Sequence, residues 1–251
     1  MSAEVRIIGV EHVPEARPGD DLAGLIAHGL EQSGLTLLEG DIVAVTQKLV
    51  SKAEGQLVDL REVEPSALAR NWAARWGKDA RQVEVVLREA QRIVRMANGL
   101  IIAETRHGFV CANAAVDASN VAGSEQVSLL PVDPDASAER IRRALSERYG
   151  VRIAVIVTDS FGRPWRKGIV NVAVGVAGMA PLLDYRGQYD EHGYELRATV
   201  IAVADEIASA AELVMGKLER RPVAVVRGYR VPPGAGSARD LVMEPERDLF
   251  R

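Results

Sequence analysis

The segment 151–159, VRIAVIVTD, is the strongest strand pattern in this chain. Residues 154–158 form a continuous apolar or β-branched run, which is typical of a strand buried in a sheet. The run ends on a carboxylate, Asp159. Three cations follow, and we interpret them as members of one short loop: Arg163, Arg166 and Lys167. A buried strand that ends beside charges of both signs raises the hypothesis of a site for a charged ligand.

The other strand and helix patterns mix along the chain without strict alternation. Further strands are predicted at 5–10, 41–48, 92–105 (a hairpin), 170–179 and 222–228. Helices are predicted at 22–30, 65–77, 79–93, 136–150 and 204–216. This order favours an α+β fold over a doubly wound sheet. We expect one functional unit over residues 1–251, built from two mixed subdomains whose boundary the composition does not mark.

Composition excludes several classes of function. The net charge of −4 argues against general nucleic-acid binding. The single cysteine, Cys111, excludes a disulfide framework and a cysteine-based zinc site within one chain. We find neither a signal-peptide pattern nor an apolar run long enough to span a bilayer, so no membrane association is expected. These features predict a cytoplasmic protein.

Two aspartates are candidate metal ligands. Asp117 lies in a loop of small residues beside Ser119 and Asn120, and Asp159 precedes the hydroxyl of Ser160. Carboxylate, hydroxyl and amide oxygens suit hard cations such as Mg²⁺ or Mn²⁺. The structural alternative is that both aspartates cap turns, a common role for this residue.

Two groups of cations follow apolar strands. Lys48 and Lys52 leave the strand at 41–48, and the three cations after Asp159 form the second group. Lysine and arginine beside metal-binding carboxylates are typical of phosphoryl transfer, in which they neutralise developing charge. The alternative is that each is a solvated surface charge. Neither a Walker-type loop nor a glycine fingerprint opening a helix is present.

Several motifs together resemble the coenzyme F420-0:L-glutamate ligase (F420 gamma-glutamyl ligase) family. They span nearly the whole chain and include RPGDDL, VSKAEG, NAAVDASN, VTDSFGRPWRKG, AVGVAGM, DEHGYEL and PVAVVRG. The resemblance implies a dimeric α+β enzyme that uses GTP and Mg²⁺ or Mn²⁺, with K⁺ as a further candidate ion. Such an enzyme activates the terminal carboxylate of F420-0 as an acyl phosphate and joins it to L-glutamate. Successive additions build a gamma-linked tail.

The resemblance also implies roles for particular positions. Asp117 and Asp159 match metal ligands, and Ser160 stands where a threonine binds a second metal. The matched nucleotide contacts are Val13, Pro14, Glu15, Ala16, Gln47, Lys48, Lys52, Asn120, Gly216 and Lys217. The chain departs from the family pattern at Gln47, which replaces a serine, and at Lys217, which stands where archaeal members carry an acid for the second metal.

Our own inference assigns the cations after Asp159 to the triphosphate or the acidic substrate, with Arg163 as a catalytic candidate beside Asp117 and Asp159. Two alternatives remain open. The chain is a related nucleotide-dependent ligase with a different acceptor, or it binds GTP without turnover.

Overall fold

The computed structural model describes residues 4–118, 125–231 and 234–249. Over these ranges the chain is a mixture of helices and several small sheets, which agrees with the predicted α+β class. The α-helices are α1 (Leu22–Gln32), α2 (Gln47–Ala53), α3 (Ala67–Trp76), α4 (Ala80–Glu89), α5 (Pro134–Tyr149) and α6 (Val203–Met215). In the described ranges, no helix is long and apolar enough to cross a lipid bilayer.

Within the described ranges, the strands form one central sheet and three smaller ones. In chain order they are β1 (Arg6–Val10), β2 (Ile42–Thr46), β3 (Leu57–Asp59), β4 (Ala90–Ala97), β5 (Leu100–Thr105), β6 (Val110–Ala112), β7 (Gln126–Ser128), β8 (Ala154–Arg163), β9 (Arg166–Ala177), β10 (Leu183–Asp184), β11 (Val200–Ile201) and β12 (Val223–Arg227). The central sheet has the order β1-β12-β2-β8-β9. The small sheets are β3-β7, β10-β11 and β4-β5-β6.

The parallel pair β2 and β8 lies within the central sheet, whose other neighbours are antiparallel. The carboxyl ends of β2 and β8 therefore meet at one edge. Since β12 runs the opposite way, its amino end lies at that same edge, and β1 ends there too. This topology brings residues from four distant parts of the chain to one side of the sheet.

The central strands are apolar on both sides because helices pack against both faces of the sheet. Val43 and Val45 of β2 belong to the main core with α1 and α5, whereas Ala44 packs with Ala211 and Met215 of α6. Alternate residues of a strand point to opposite faces, so α6 covers the face opposite to α1 and α5. The small residues of α6 allow the helix to lie close to the sheet.

A buried ion pair fixes β12 beside the start of β2. Arg227 donates from Nε to Asp41 Oδ1 over 2.9 Å and from Nη2 to Asp41 Oδ2 over 2.6 Å. Asp41 is 1% exposed, and it also accepts a hydrogen bond from the backbone of Leu38. A bidentate contact of this kind satisfies the buried carboxylate and defines the lateral position of the two strands.

A second hydrophobic core lies under α3 and α4. Ala69 and Ala73 of α3 and Val83 and Val86 of α4 pack against Ile101 and Ala103 of β5. The predicted hairpin turn between β4 and β5 is confirmed, because Asn98 and Gly99 have φ values of 51° and 74°. Positive φ at both central residues is the requirement of the turn that Asn-Gly favours.

Two local predictions differ from the structure. Lys48 and Lys52 lie in the short helix α2, which the sequence pattern did not reveal. The single loop expected for the cations after Asp159 is wrong: Arg163 ends β8, and Arg166 and Lys167 begin β9. The two strands pair up to Arg163 and Arg166, so the backbone hydrogen bonds of the hairpin extend almost to its turn.

Candidate active site

A cleft of about 850 Å³ lies at the edge where β2 and β8 end. Its walls come from the segment after β1, the start of α2, the end of β8, the facing part of β9 and the segment from α6 to β12. The lining residues are Val13, Pro14, Glu15, Ala16, Thr46, Gln47, Lys48, Leu49, Lys52, Asp117, Thr158, Asp159, Ser160, Ile169, Asn171, Glu212, Gly216, Lys217, Leu218, Arg220, Arg221 and Pro222. Ligands commonly bind outside the carboxyl ends of parallel strands, so the position suits a binding site.

The two predicted metal ligands both line this cleft. Asp159 is largely buried, and its burial, together with the nearby charge of Asp117, raises its pKa to about 7. The backbone N–H of Ser160 donates to Asp159 Oδ1 over 2.8 Å and opposes that rise. Asp117 is positioned by two backbone hydrogen bonds with Ser128. Two carboxylates that repel each other in a recessed site favour the binding of a cation.

Lys48 partly offsets this negative charge. Its ammonium Nζ lies 2.7 Å from Asp117 Oδ2. Lys48 is the second residue of α2, directly after β2, so the end of the strand sets its position. The contact brings together two residues that sequence analysis selected independently.

A closed ring of hydrogen bonds joins four side chains beside Asp159. Lys217 Nζ donates to Ser160 Oγ over 2.6 Å and lies 2.8 Å from Glu212 Oε1. Ser160 Oγ donates to Asn171 Oδ1 over 2.7 Å, and Asn171 Nδ2 donates to Glu212 Oε2 over 2.8 Å. Asn171 is only 2% exposed, and cross-strand pairing in the hairpin places it opposite Ser160. The ring fixes each of its members.

The segment Val13–Ala16 forms another wall of the cleft. Glu15 accepts a hydrogen bond from Lys52 Nζ over 3.0 Å, and this contact lowers the pKa of Glu15. Arg220 contributes to that lowering through its charge, so it faces the same part of the cleft. Arg220 has a φ of 56°, an uncommon value for a residue with a side chain.

Gln47 lines the cleft and carries a buried side-chain amide. Its side chain is buried, and its Oε1 accepts from Ser51 Oγ over 2.9 Å. Its Nε2 has no partner in the part of the chain that the structure describes. A buried amide N–H without a partner costs free energy, so this atom is a candidate contact for a bound molecule.

The structure thus brings together most of the predicted site residues. Asp117, Asp159 and Ser160 share the cleft with Val13, Pro14, Glu15, Ala16, Gln47, Lys48, Lys52, Gly216 and Lys217. Arg163 does not line the cleft; its guanidinium donates to the carbonyl of Lys167 over 2.7 Å at the hairpin end. Asn120 lies outside the described residues.

Sequence analysis missed Asn171, Glu212, Arg220 and Arg221 as site residues. A usable signal existed for Asn171, because it is the polar residue within the apolar pattern VNVAVGV of β9. Glu212 gives no such signal, since an acid on an exposed helix turn is common.

The donor set fits one divalent cation such as Mg²⁺ or Mn²⁺. No cluster of three histidine, cysteine or acidic side chains suited to a metal occurs in the ranges that the structure covers. Mg²⁺, however, is usually held by one or two carboxylates and completes its coordination with water and phosphate oxygens. Asp117 and Asp159 supply two carboxylates, and the raised pKa of Asp159 marks a site where such an ion would relieve repulsion.

The fold and the cleft define an α+β protein with a recessed cleft, lined by charged side chains of both signs, at the carboxyl ends of two parallel strands. Comparison with known proteins identifies the family. The family model for F420-0:Gamma-glutamyl ligase matches residues 11–228, which include every segment of the cleft. The chain belongs to the F420-0:gamma-glutamyl ligase family.

Individual relatives extend over almost the full length. The coenzyme F420:L-glutamate ligase of Methanothermobacter thermautotrophicus is 46% identical over 252 residues, covering 98% of this chain and 99% of the relative. The protein of the same name from Methanopyrus kandleri is 49% identical over 250 residues, covering 96% and 97%. That from Methanocaldococcus jannaschii is 43% identical over 251 residues, covering 99% and 97%. The resemblance drawn from the sequence motifs is confirmed.

Proposed function

We propose that this chain is a ligase that adds L-glutamate to coenzyme F420-0, and then further gamma-linked glutamates, with GTP and a divalent metal ion. The relatives described above are named coenzyme F420:L-glutamate ligase and align along almost the whole chain. One structural observation carries the proposal. Asp117 and Asp159, which lie 42 positions apart in the sequence, line one cleft together with Lys48 and Lys52.

The reaction requires activation of a carboxylate. In the first step, an oxygen of the F420-0 carboxylate forms a bond to the γ-phosphorus of GTP, and the bond to the β-phosphate oxygen breaks, releasing GDP. In the second, the amine of L-glutamate attacks the acyl carbon, phosphate leaves, and the amine loses a proton. The first step joins two anions, so positive charge near the reacting atoms lowers its barrier.

The cleft can supply this positive charge in two ways: through a bound metal ion and through its lysines. Asp117 and Asp159 would hold Mg²⁺ or Mn²⁺, with the hydroxyl of Ser160 beside them, and the bound ion would supply charge against phosphate oxygens. Lys48 and Lys52 lie within the same cleft and contribute fixed positive charge for the triphosphate.

The nucleotide itself fits the opposite wall. The segment Val13–Ala16, the free amide N–H of Gln47 and the residues Gly216 and Lys217 are the proposed GTP contacts in the described cleft. Asn120 and the use of K⁺ stay predictions of the family resemblance, as do the preference for GTP over ATP and assembly into a homodimer.

The acidic acceptor fits the hairpin side of the cleft. Ile169 of β9 lines the cleft, and Arg163, Arg166 and Lys167 lie beyond it toward the hairpin turn. F420-0 carries a phosphodiester and a carboxylate, so this cationic end of the hairpin suits the binding of F420-0. It lies too far along the hairpin to line the cleft where the proposed reaction takes place. Arg163 accordingly serves in substrate binding within this proposal.

Mass spectrometry of the acceptor tests the function. The protein is incubated with F420-0, GTP, Mn²⁺ and L-glutamate, and products carrying one or more added glutamates are expected together with GDP and phosphate. Asp159→Asn should lower the rate by at least about 100-fold. Glu147→Gln, which removes an acid from the exposed surface of α5, is the matched control.

If no glutamate is added to F420-0, the fate of GTP distinguishes the two alternative functions. GTP hydrolysis with another acid and amine, but none with F420-0, would indicate a different acceptor. GTP binding without phosphate release for any acceptor pair would indicate a protein that binds the nucleotide without turnover.

A further inference from the structure

The Lys217 ammonium lies among side-chain oxygen atoms of the cleft. It lies 2.6 Å from the hydroxyl of Ser160 and 2.8 Å from a carboxylate oxygen of Glu212. Asn171 joins both of these groups through its amide. Carboxylate, hydroxyl and amide oxygens are the groups that bind hard divalent cations, so the ammonium occupies a place lined with metal-type ligands.

We propose that the Lys217 ammonium is a built-in cation, which takes the place of a second divalent ion, so that the cleft binds one divalent ion per chain. This inference rests on the metal site of the proposed function, at Asp117 and Asp159. It assigns Ser160 and Glu212 to Lys217 rather than to a metal. The chemical class of ligand that remains is a single Mg²⁺ or Mn²⁺.

The charges of the described cleft agree with this count. Asp117, Asp159 and Glu212 line the part of the cleft that also contains Lys48 and Lys217. Lys48 contacts Asp117 and Lys217 contacts Glu212, so two of the three negative charges have a cationic partner within 2.8 Å. Lys48 and Lys217 act on the third acid, Asp159, through their charge, but neither forms an ion pair with it in the described residues, so its carboxylate suits one further cation. A second divalent ion would crowd positive charge against the ammonium.

The local backbone explains how Lys217 reaches this place. Glu212 lies in the last turn of α6, and Gly216 caps the helix with a φ of 62°. With a ψ of −173°, this is a backbone conformation essentially confined to glycine, and Lys217 follows it directly and contacts Glu212. A residue with a Cβ would be strained at this φ, whereas glycine adopts it readily. Glycine at this position therefore supports the placement of the ammonium.

Counting bound Mn²⁺ tests the inference. Electron paramagnetic resonance of the full chain, titrated with MnCl₂ alone, gives the number of ions bound per chain. We expect one ion for the wild type, two for Lys217→Gln, and one for Lys217→Arg, which keeps the positive charge. Lys78→Gln removes a lysine charge from the exposed segment between α3 and α4, and this control should bind one ion. Circular dichroism establishes that each variant is folded.

Two ions in the wild type would show that a metal displaces the ammonium and would overturn the inference. One ion in Lys217→Gln, or none in the wild type, would overturn it as well. The ligation assay separates this result from the proposed function. If the wild type binds two Mn²⁺ ions and catalyses ligation, only the inference about Lys217 is rejected. If the wild type binds one ion, Lys217→Gln binds two, and no ligation occurs, only the proposed function is rejected.

Discussion

The ammonium of Lys48 lies 2.7 Å from a carboxylate oxygen of Asp117, and this contact connects the start of α2 with the segment that precedes β7. The two side chains are 23% and 35% exposed, so the pair is open to a ligand from the cleft. A metal ion held by Asp117, as we propose, would compete with this lysine for the carboxylate.

Replacing Lys48 by methionine should therefore separate nucleotide binding from metal binding. We expect Lys48→Met to weaken GTP binding by at least about ten-fold, or about 1.4 kcal/mol, because a phosphate partner is lost. The affinity for Mn²⁺ should rise, because Asp117 no longer shares its charge with the ammonium. Isothermal titration calorimetry measures both constants. A parallel loss of both affinities would contradict this assignment.

The raised pKa of Asp159 predicts a pH-dependent stability for the metal-free protein. The carboxyl group has a pKa of about 7 in the folded chain against 3.8 as its ordinary value. Between these values the folded protein keeps a proton that the unfolded chain has released, so the free energy of unfolding should fall as the pH rises from about 4 to about 7. The fall attributable to this group is at most about 4 kcal/mol.

Urea unfolding in the presence of EDTA, measured across this pH range, checks the prediction. Asp159→Asn lacks the titrating group and should show a flatter dependence than the wild type. Identical profiles for the two proteins would mean that Asp159 does not carry the shift.

Cys111 should be inert toward thiol reagents in the folded protein. Its side chain is 7% exposed, and burial, with a further contribution from the charge of Asp159, raises the pKa of the thiol to about 12. The thiolate is the reactive form, so a chromogenic disulfide reagent at pH 8 should react only after denaturation. Rapid reaction of the native chain would show that this region opens readily.

The cations of the β8–β9 hairpin should act on the acceptor rather than on the nucleotide. We expect Arg166→Gln combined with Lys167→Gln to raise the KM for F420-0 several-fold and to leave the KM for GTP unchanged, because neither residue lines the described cleft. Steady-state kinetics with each substrate varied in turn supplies its own control. An equal rise in both KM values would place the hairpin against the triphosphate.

Sequence patterns predicted the elements of the fold better than their arrangement. The apolar run of β8, the Asn98-Gly99 turn and the helix ended by Gly150 follow from local propensity, and the structure contains all three. The parallel neighbours β2 and β8 are separated by about a hundred residues of sequence, and no local signal specifies that they pair. Helix α2 was missed because its seven residues are too few for a clear period.

In the site, too, single residues were predictable from the sequence, whereas contacts between distant segments were not. Asp117, Asp159 and Lys48 were selected because charged residues follow apolar strands or lie among small ones. Glu212 and Asn171 were not, because their contact joins residues 41 positions apart and depends on how α6 packs on β9. The placement of Lys217 depends on the same packing.

Anomalous diffraction from crystals of the protein soaked with MnCl₂ and GTP tests the central claim most directly. The account predicts a manganese peak about 2.0–2.2 Å from carboxylate oxygens of both Asp117 and Asp159, with triphosphate oxygens completing its coordination. A peak that contacts only one of these aspartates, or manganese bound elsewhere while the nucleotide occupies the cleft, would contradict it.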